Sequence, residues 1–373
     1  MIYLDYAADT PPDARVLLVY TQTAQECFAN PNSAHAMGFS AREAVDKALA
    51  KTAALLGTET DGLILTSGAS EANNLAVKGI AHTNRRRGKH IVSTFLEHSS
   101  VSGALTFLQE QGWQIDLVHL TPDGTVDLEH LRLLMRPDTV LCAVCGVDSE
   151  LGTVQPLREI AEIIAQYPNC RLHADLTQAV GKMPVSLQGL HTASLAPHKF
   201  YGLKGCGLLC KAKGTVLEPL IHGGASTTVY RSGTPDAPAA AALAEALGLA
   251  VGALDERTET VRAHNAYLRA RFAENPRIRI NSPENAVPHI LNVSVQGIKG
   301  EEMRRLLDAR GICVSVKSAC SVPNTPSRAV MAVTNDRRNA LSSWRISLSH
   351  LTTRTELEAL CDALGEIMAE HPA

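Results

Sequence analysis

Thr192-Ala193-Ser194-Leu195-Ala196-Pro197-His198-Lys199-Phe200-Tyr201-Gly202 reads as a short apolar strand that stops at a proline and delivers a histidine and a lysine into a glycine turn. Lys204-Gly205 and Cys206-Gly207 continue the turn. A lysine amine attacks a carbonyl only in its neutral form, so a lysine that anchors an aldehyde must be partly desolvated or lie near other cations. The apolar run 193–197 supplies that burial. Taken alone, the spacing also fits a solvated lysine in a surface loop, because most lysines stay exposed.

Outward from this stretch, residues 60–210 alternate short β-like runs with amphipathic helical ones, the pattern of a parallel sheet covered by helices. Strands are expected at 63–66, 90–93, 114–119, 139–144, 171–174, 192–196 and 207–210, and helices at 42–56, 71–82, 101–110, 128–135 and 157–166. In open α/β sheets ligands bind beyond the carboxyl ends of the strands. Polar residues collect at those exits: Ser67, Glu97-His98, Asp148-Ser149, Asp175 and Lys199. An Ala-rich helical stretch at 238–254 leads through Asp255-Glu256-Arg257 into a charged helix, read as the hinge into a smaller α+β domain with β runs at 290–295, 312–316 and 344–348. The expected division is a large domain, 14–255, and a small domain built from 1–13 and 256–373 that carries a loop around Cys320.

The 373 residues, 45% apolar, can fill a large core and call for two lobes. A net charge of −3 provides no broad basic field, so neither direct nucleic-acid binding nor attachment to anionic lipid is expected. The run Arg85-Arg86-Arg87-Gly88-Lys89 reads as a solvated loop. No stretch is apolar enough to span a bilayer, and Met1 to Tyr6 lacks the regions of a signal peptide, so a cytoplasmic protein is expected. Nine cysteines without a disulfide-scaffold pattern suit a reducing compartment. Cys142 and Cys145 form a CxxC, but inside an apolar run that reads as a packed strand.

Three further exits carry chemistry. Thr66-Ser67-Gly68-Ala69-Ser70-Glu71 ends a strand and opens a helix, where free amides and the helix dipole attract a phosphate. A Ser N-cap with Glu71 in the first turn explains it as well. Asp175 ends the run Arg171-Leu172-His173-Ala174-Asp175, with Gln178 a helical turn later. A buried aspartate there can keep a pyridine nitrogen protonated, making a pyridoxal ring an electron sink; a helix-capping Asp is the plainer reading. His173 and Asp175 share a strand face, but no third ligand lies nearby, and no metal site is expected. His98 can stack on a ring, shuttle protons or be structural. Phosphate loop, histidine, Asp with Gln and His-Lys occur together in sheet order, which independent coincidence does not readily produce.

With these residues in place the chain resembles the cysteine desulfurases of the NifS/IscS kind, within the class V aminotransferase family of pyridoxal phosphate (PLP) enzymes. The likeness runs from end to end: Tyr3-Leu4-Asp5-Tyr6-Ala7-Ala8, Asn30-Pro31, Thr66 to Glu71, Glu97-His98, Glu150-Leu151-Gly152, Asp175 with Gln178, His198-Lys199, Arg231-Ser232-Gly233-Thr234, Ser318-Ala319-Cys320 and Arg345 follow the family's order. It implies an α/β PLP-dependent transferase of fold type I, with a mostly parallel seven-stranded sheet in the large domain and a smaller α+β domain, normally as a homodimer. It implies Lys199 as the Schiff-base lysine, His98 stacked on the pyridine ring, Asp175 on the ring nitrogen and Gln178 on the phenolic oxygen. Ala69, Ser70 and His198 would meet the phosphate, with Thr234 of the partner subunit reaching in. Arg345 would grip the carboxylate of the substrate, L-cysteine, a task suited to its bidentate fork; Asn30 and Ser149 would also contact the substrate. Cys320 would be the nucleophile: in a polar, proline-containing loop, its thiolate could take sulfur as a persulfide and leave L-alanine, with Lys317 upstream to help hold the charge. Ser-Ala-Cys and the loop length, about one residue shorter than in IscS, resemble the group whose members hand sulfur to an iron–sulfur scaffold or a tRNA-thiolation partner.

The chain departs from the family's pattern in places. Asp148-Ser149 replaces paired asparagines, and Ala196-Pro197 replaces Ser-Gly, deleting a phosphate hydroxyl and about 1.5–3 kcal/mol of charge-assisted hydrogen bonding. Asp9 and Ala225-Ser226 also differ. These changes leave two alternatives standing beside the desulfurase: a related selenocysteine or cystine lyase, and a non-catalytic dimeric partner with weakened cofactor binding.

Overall fold

In the computed structural model, which describes residues 1–317 and 325–372, the chain opens with β1 (Ile2–Tyr3), α1 (Ala14–Glu26) and α2 (Ala36–Leu56). It continues through β2 (Leu63–Thr66), α3 (Ala69–Asn84), β3 (His90–Ser93), α4 (Ser99–Glu110), β4 (Gln114–Leu117) and α5 (Leu128–Leu134). Next come β5 (Thr139–Cys145), α6 (Leu157–Ile164), β6 (Arg171–Asp175), β7 (Thr192–Leu195) and β8 (Gly207–Lys211). Strands β2 to β8 make one seven-stranded sheet in the order β2-β8-β7-β6-β5-β3-β4. β8 is antiparallel to both neighbours and every other pairing is parallel, so the mostly parallel sheet is the one anticipated.

The sheet is buried on both faces, which is why its strands read as unbroken apolar runs. Successive side chains of β5 point to opposite faces: Leu141 and Ala143 join a cluster with Leu75, Ile80 and Val101, whereas Cys142 and Val144 join one with Leu172, Leu195 and Leu247. The CxxC is therefore packed strand, and burial pushes both thiols well above the usual range.

Local signals moved several boundaries. α2 starts six residues before 42, because His35 caps it with Nδ1 accepting from Gly38 N at 3.2 Å, and it ends at left-handed Gly57. The strand expected to reach 119 stops at Leu117, since His119 N donates instead to His130 Nδ1 (3.0 Å).

The remainder comprises α7 (Ala237–Gly252), α8 (Leu254–Ala273), β9 (Ile278–Ile280), β10 (Ile290–Val295), α9 (Gly300–Asp308), β11 (Ile312–Cys313), α10 (Arg328–Thr334), α11 (Arg337–Ser342), β12 (Ser343–Ser347) and α12 (Arg354–Glu370). The helical stretch expected to 254 breaks at Ala253, which leaves helical geometry (φ −109°, ψ 15°), and α8 departs at 64°. Among the described residues no single helix is long and apolar enough to cross a membrane. β12, β10 and β9 form an antiparallel sheet over a second core that includes Leu4, Val261, Phe272, Val293, Trp344 and Leu360. The run 312–316 is a strand only at its start: Ile312 and Cys313 pair with β1, while Ser315 bridges to Arg345 on β12. Residues 2–8 thus lie along the small sheet and reach the large one, with Asp5 bridging Ser347 and Ala7 N donating to Ser347 Oγ (2.9 Å).

Candidate functional site

A cavity of about 400 Å³ opens where β2, β3, β5, β6 and β7 end. The structure brings Ala69, Ser70, His98, Ser149, Asp175, Gln178, His198, Lys199 and Arg345 to its wall. Asn30 and Thr234 are exposed and do not line it. Cys320 lies outside the described residues. Lys317 is buried, with Nζ donating to Thr325 O (2.9 Å) and Oγ1 (2.8 Å).

β7 ends in a single 3₁₀ turn, Pro197–Lys199, which Thr10 pins in place: its N and Oγ1 donate to His198 O (3.0 and 2.8 Å), and its Oγ1 accepts from Tyr201 N (2.7 Å). Lys199 points inward, Nζ donating to Ala7 O (2.9 Å) and Ala8 O (2.5 Å). Burial, reinforced by Arg345, lowers its pKa to about 8; roughly one amine in ten is then neutral at pH 7. This disposes of the solvated-loop reading. Burial and Lys199 hold His198 near 4, so its ring is neutral.

Asp175 closes β6 with Oδ1 accepting from Thr177 N (3.0 Å) and Oδ2 from Asn73 Nδ2 (2.8 Å). Asn73, fully buried on α3, is the hub that sequence reading missed. Its Nδ2 also donates to Ser100 Oγ (2.8 Å), and its Oδ1 faces His173 Nε2 (3.0 Å) and Ser194 Oγ. The Asp175 carboxylate can only accept, which fixes the amide this way round and puts the His173 proton on Nε2. Burial lowers the His173 pKa to about 4. Ser100 in turn passes its hydroxyl proton toward His98 Nδ1 (2.9 Å), which also accepts from Ser100 N (3.2 Å) as the N-cap of α4. Burial depresses the His98 pKa, leaving a neutral ring with its proton on Nε2. In the sequence Asn73 is one of two adjacent amides, Asn73-Asn74, and nothing there tells the buried one from its neighbour.

α3 starts at Gly68 with no side-chain cap, which overturns the Ser N-cap reading. Glu71 instead reaches back to Ser67 N (2.7 Å) and pairs with Arg231 Nε (2.9 Å). The loop needs β8 close by: a Cβ on Gly207 would fall 2.4 Å from the carbonyl carbon of Gly68. Opposite, Arg345 on β12 is 2% exposed, with Nη1 donating to the Ser149 carbonyl (2.7 Å) and Nη2 to Asp5 Oδ1 (2.9 Å). Ser149 therefore meets Arg345 through its backbone, whatever its side chain is. The adjacent Asp148 caps the turn that follows, accepting from Glu150 N (3.0 Å) and Leu151 N, and burial with Glu150 nearby pushes it up to about 7.

This donor set suits one kind of guest. Helix-terminal amides take an anion, a part-neutral amine takes a carbonyl, and a carboxylate set in a hydrogen-bonded frame takes a protonated ring nitrogen. The arginine fork remains for a second carboxylate.

The model of the class-V aminotransferase family matches residues 2–360. The chain is 34% identical to the cysteine desulfurase IscS of Dictyoglomus turgidum, over 98% of this chain and 94% of the relative. A solved NifS-like protein superposes with a TM-score of 0.92 at 32% identity, covering 99% of each chain. A structure of SspA in complex with cysteine gives 0.82 at 30% identity, covering 95% of this chain and all of that one.

Proposed function

Because the chain belongs to the class-V aminotransferases and is a pyridoxal-phosphate-dependent cysteine desulfurase, we propose that the cavity holds the cofactor through Lys199, Asp175 and the N-terminus of α3, and receives L-cysteine beneath Arg345. The observation that carries this reading is the meeting of those four features around one cavity of about 400 Å³. When bound, PLP would supply an electron sink for the reacting substrate. Lys199 would anchor it by its amine, and the Asp175 carboxylate, braced by Asn73, would keep the ring nitrogen protonated. Ala69, Ser70 and His198 would hold the phosphate, with Thr234 of the partner subunit; Gln178 would donate to the ring oxygen; and neutral His98 would serve the ring as a proton carrier at Nε2.

Arg345 orients the cysteine carboxylate, with Ser149 and Asn30 near the substrate. The thiolate of Cys320 attacks the substrate sulfur, the bond from sulfur to Cβ breaks, Cβ takes a proton, and alanine leaves while the sulfur stays as a persulfide. The persulfide passes to an acceptor protein, an iron–sulfur scaffold or a tRNA-thiolation enzyme. The reading includes a cytoplasmic homodimer, with residues 14–255 as the cofactor-binding domain and 1–13 with 256–373 as the domain that carries the Cys320 loop. The purified protein should be yellow with PLP and release alanine and sulfide from L-cysteine in the presence of thiol. Cys320→Ala should keep the colour and lose the sulfide. A colourless protein, or one that turns over cysteine equally well without Cys320, overturns the reading.

A further inference from the structure

Gln178 and Lys182 lie four residues apart in the turns that follow β6, and the left-handed Gly181 between them (φ 75°) brings the lysine side chain back against the amide. Lys182 is 5% exposed, and among the described residues its side chain's one hydrogen bond runs from Nζ to Gln178 Oε1 (2.8 Å). Its charged neighbours are cations or potential cations: Lys199 and Arg345 weigh on it, and it weighs on buried His289. Burying a lysine among cations is unfavourable, and a lysine kept there calls for a task.

Gln178 itself lines the cavity, and its Nε2 donates to Ala7 O (2.9 Å), the carbonyl that also receives Lys199 Nζ. An amide can turn end for end at little cost unless its partners forbid it. The Ala7 carbonyl only accepts and asks for Nε2, while an ammonium only donates and asks for Oε1, so the two partners together keep the amide nitrogen toward Ala7 and the cavity. Burial lowers the Lys182 pKa to about 7, so the donor-only constraint belongs to the charged form, while the neutral amine still offers Oε1 two N–H donors but gains an accepting lone pair.

We propose that Lys182 is a positioning residue: it locks the Gln178 amide with its N–H₂ toward the cavity, so that an anionic ring oxygen meets a donor and never the amide carbonyl. The proposal rests on the reading that Gln178 faces the ring oxygen of PLP. Lys182 touches neither cofactor nor substrate in this role.

The test uses holoenzyme and two readouts other than turnover: the pH midpoint of the absorbance change of lysine-bound PLP, and the PLP dissociation constant by fluorescence titration. Lys182→Met should move the midpoint in the same direction as Gln178→Ala and weaken PLP binding about three- to tenfold, the value of one hydrogen bond. The double variant should move it no further than Gln178→Ala alone, and Lys182→Arg, which still only donates, should restore most of the shift. If Lys182→Met does not fold, Lys182→Gln carries the same test, because its amide both donates and accepts. A midpoint moved by Gln178→Ala but not by Lys182 replacement, or additive shifts in the double variant, overturns this inference alone. A midpoint that Gln178→Ala leaves unmoved overturns the ring-oxygen assignment, and the lock with it.

Discussion

Asn73→Ala removes four hydrogen bonds at once, and its cost can be worked from the partners. Asp175 Oδ2 loses a charge-assisted bond of about 1.5–3 kcal/mol. His173 Nε2 and the Ser194 hydroxyl, both fully buried, are left facing an apolar methyl; each unsatisfied group costs about 1–3 kcal/mol, reduced where water enters the space vacated. A loss of about 4 kcal/mol in the large unit follows, at the upper end of what single substitutions do. The two tryptophans provide the assay. Trp113 is buried in the cluster that contains Leu75 and Ile80 of α3, whereas Trp344 sits in the second core. In a Trp344→Phe background, urea unfolding of the apoprotein followed by fluorescence reports on the unit that holds Asn73. Asn73→Asp, which sets a second carboxylate 2.8 Å from Asp175, should be worse at neutral pH and recover as the pH falls through the carboxylate range. A loss below 1 kcal/mol for Asn73→Ala would show that the hub is decorative and sink the account of how Asp175 is held.

Arg345→Lys should raise the KM for L-cysteine at least tenfold in steady-state assays, because a lysine cannot span both the Ser149 carbonyl and Asp5 while presenting a fork to the substrate; an unchanged KM would remove Arg345 from the substrate site. Glu97 is buried and its pKa is raised to about 8, chiefly by burial, so the native state binds a proton there that the unfolded chain gives up near 4.5. The stability tied to that proton is complete below about 4.5 and lost as the pH rises through about 8. Glu97→Gln, a mimic of the protonated acid, should therefore hold its urea midpoint better than wild type between pH 6 and 8.5, and parallel pH profiles would contradict the burial argument.

The strand-exit residues were legible because the parallel sheet imposes a rule that sequence can express: each apolar run ends where a ligand can sit, and Lys199, Asp175 and His98 fall at such ends. Lys182 was legible in principle, four residues from Gln178. Asn73 and Asp5 were not, for a physical reason. Asn73 matters through groups 27 to 121 residues away, and Asp5 through an arginine 340 residues on, and no periodicity encodes such pairings. The helix break at Ala253 was invisible too, since alanine favours helix and only packing selects the bend. Two boundaries moved where a histidine ring accepted a backbone N–H, His35 from Gly38 and His130 from His119.

The segment from Ile2 to Ala8 has a consequence for biosynthesis. It pairs with Ile312–Cys313, braces Arg345 and Ser347, and offers Lys199 its carbonyl acceptors. At a synthesis rate of about 5–20 residues per second, these residues wait on the order of half a minute for partners 310 to 340 residues on. During that wait the large sheet can assemble, yet its cavity lacks one wall and its lysine lacks its acceptors. Completion of the cavity thereby waits until residues 312–347 have been made, and Asp5→Ala, which breaks the pairing with Arg345, should slow PLP capture during refolding, read as the recovery of its absorbance.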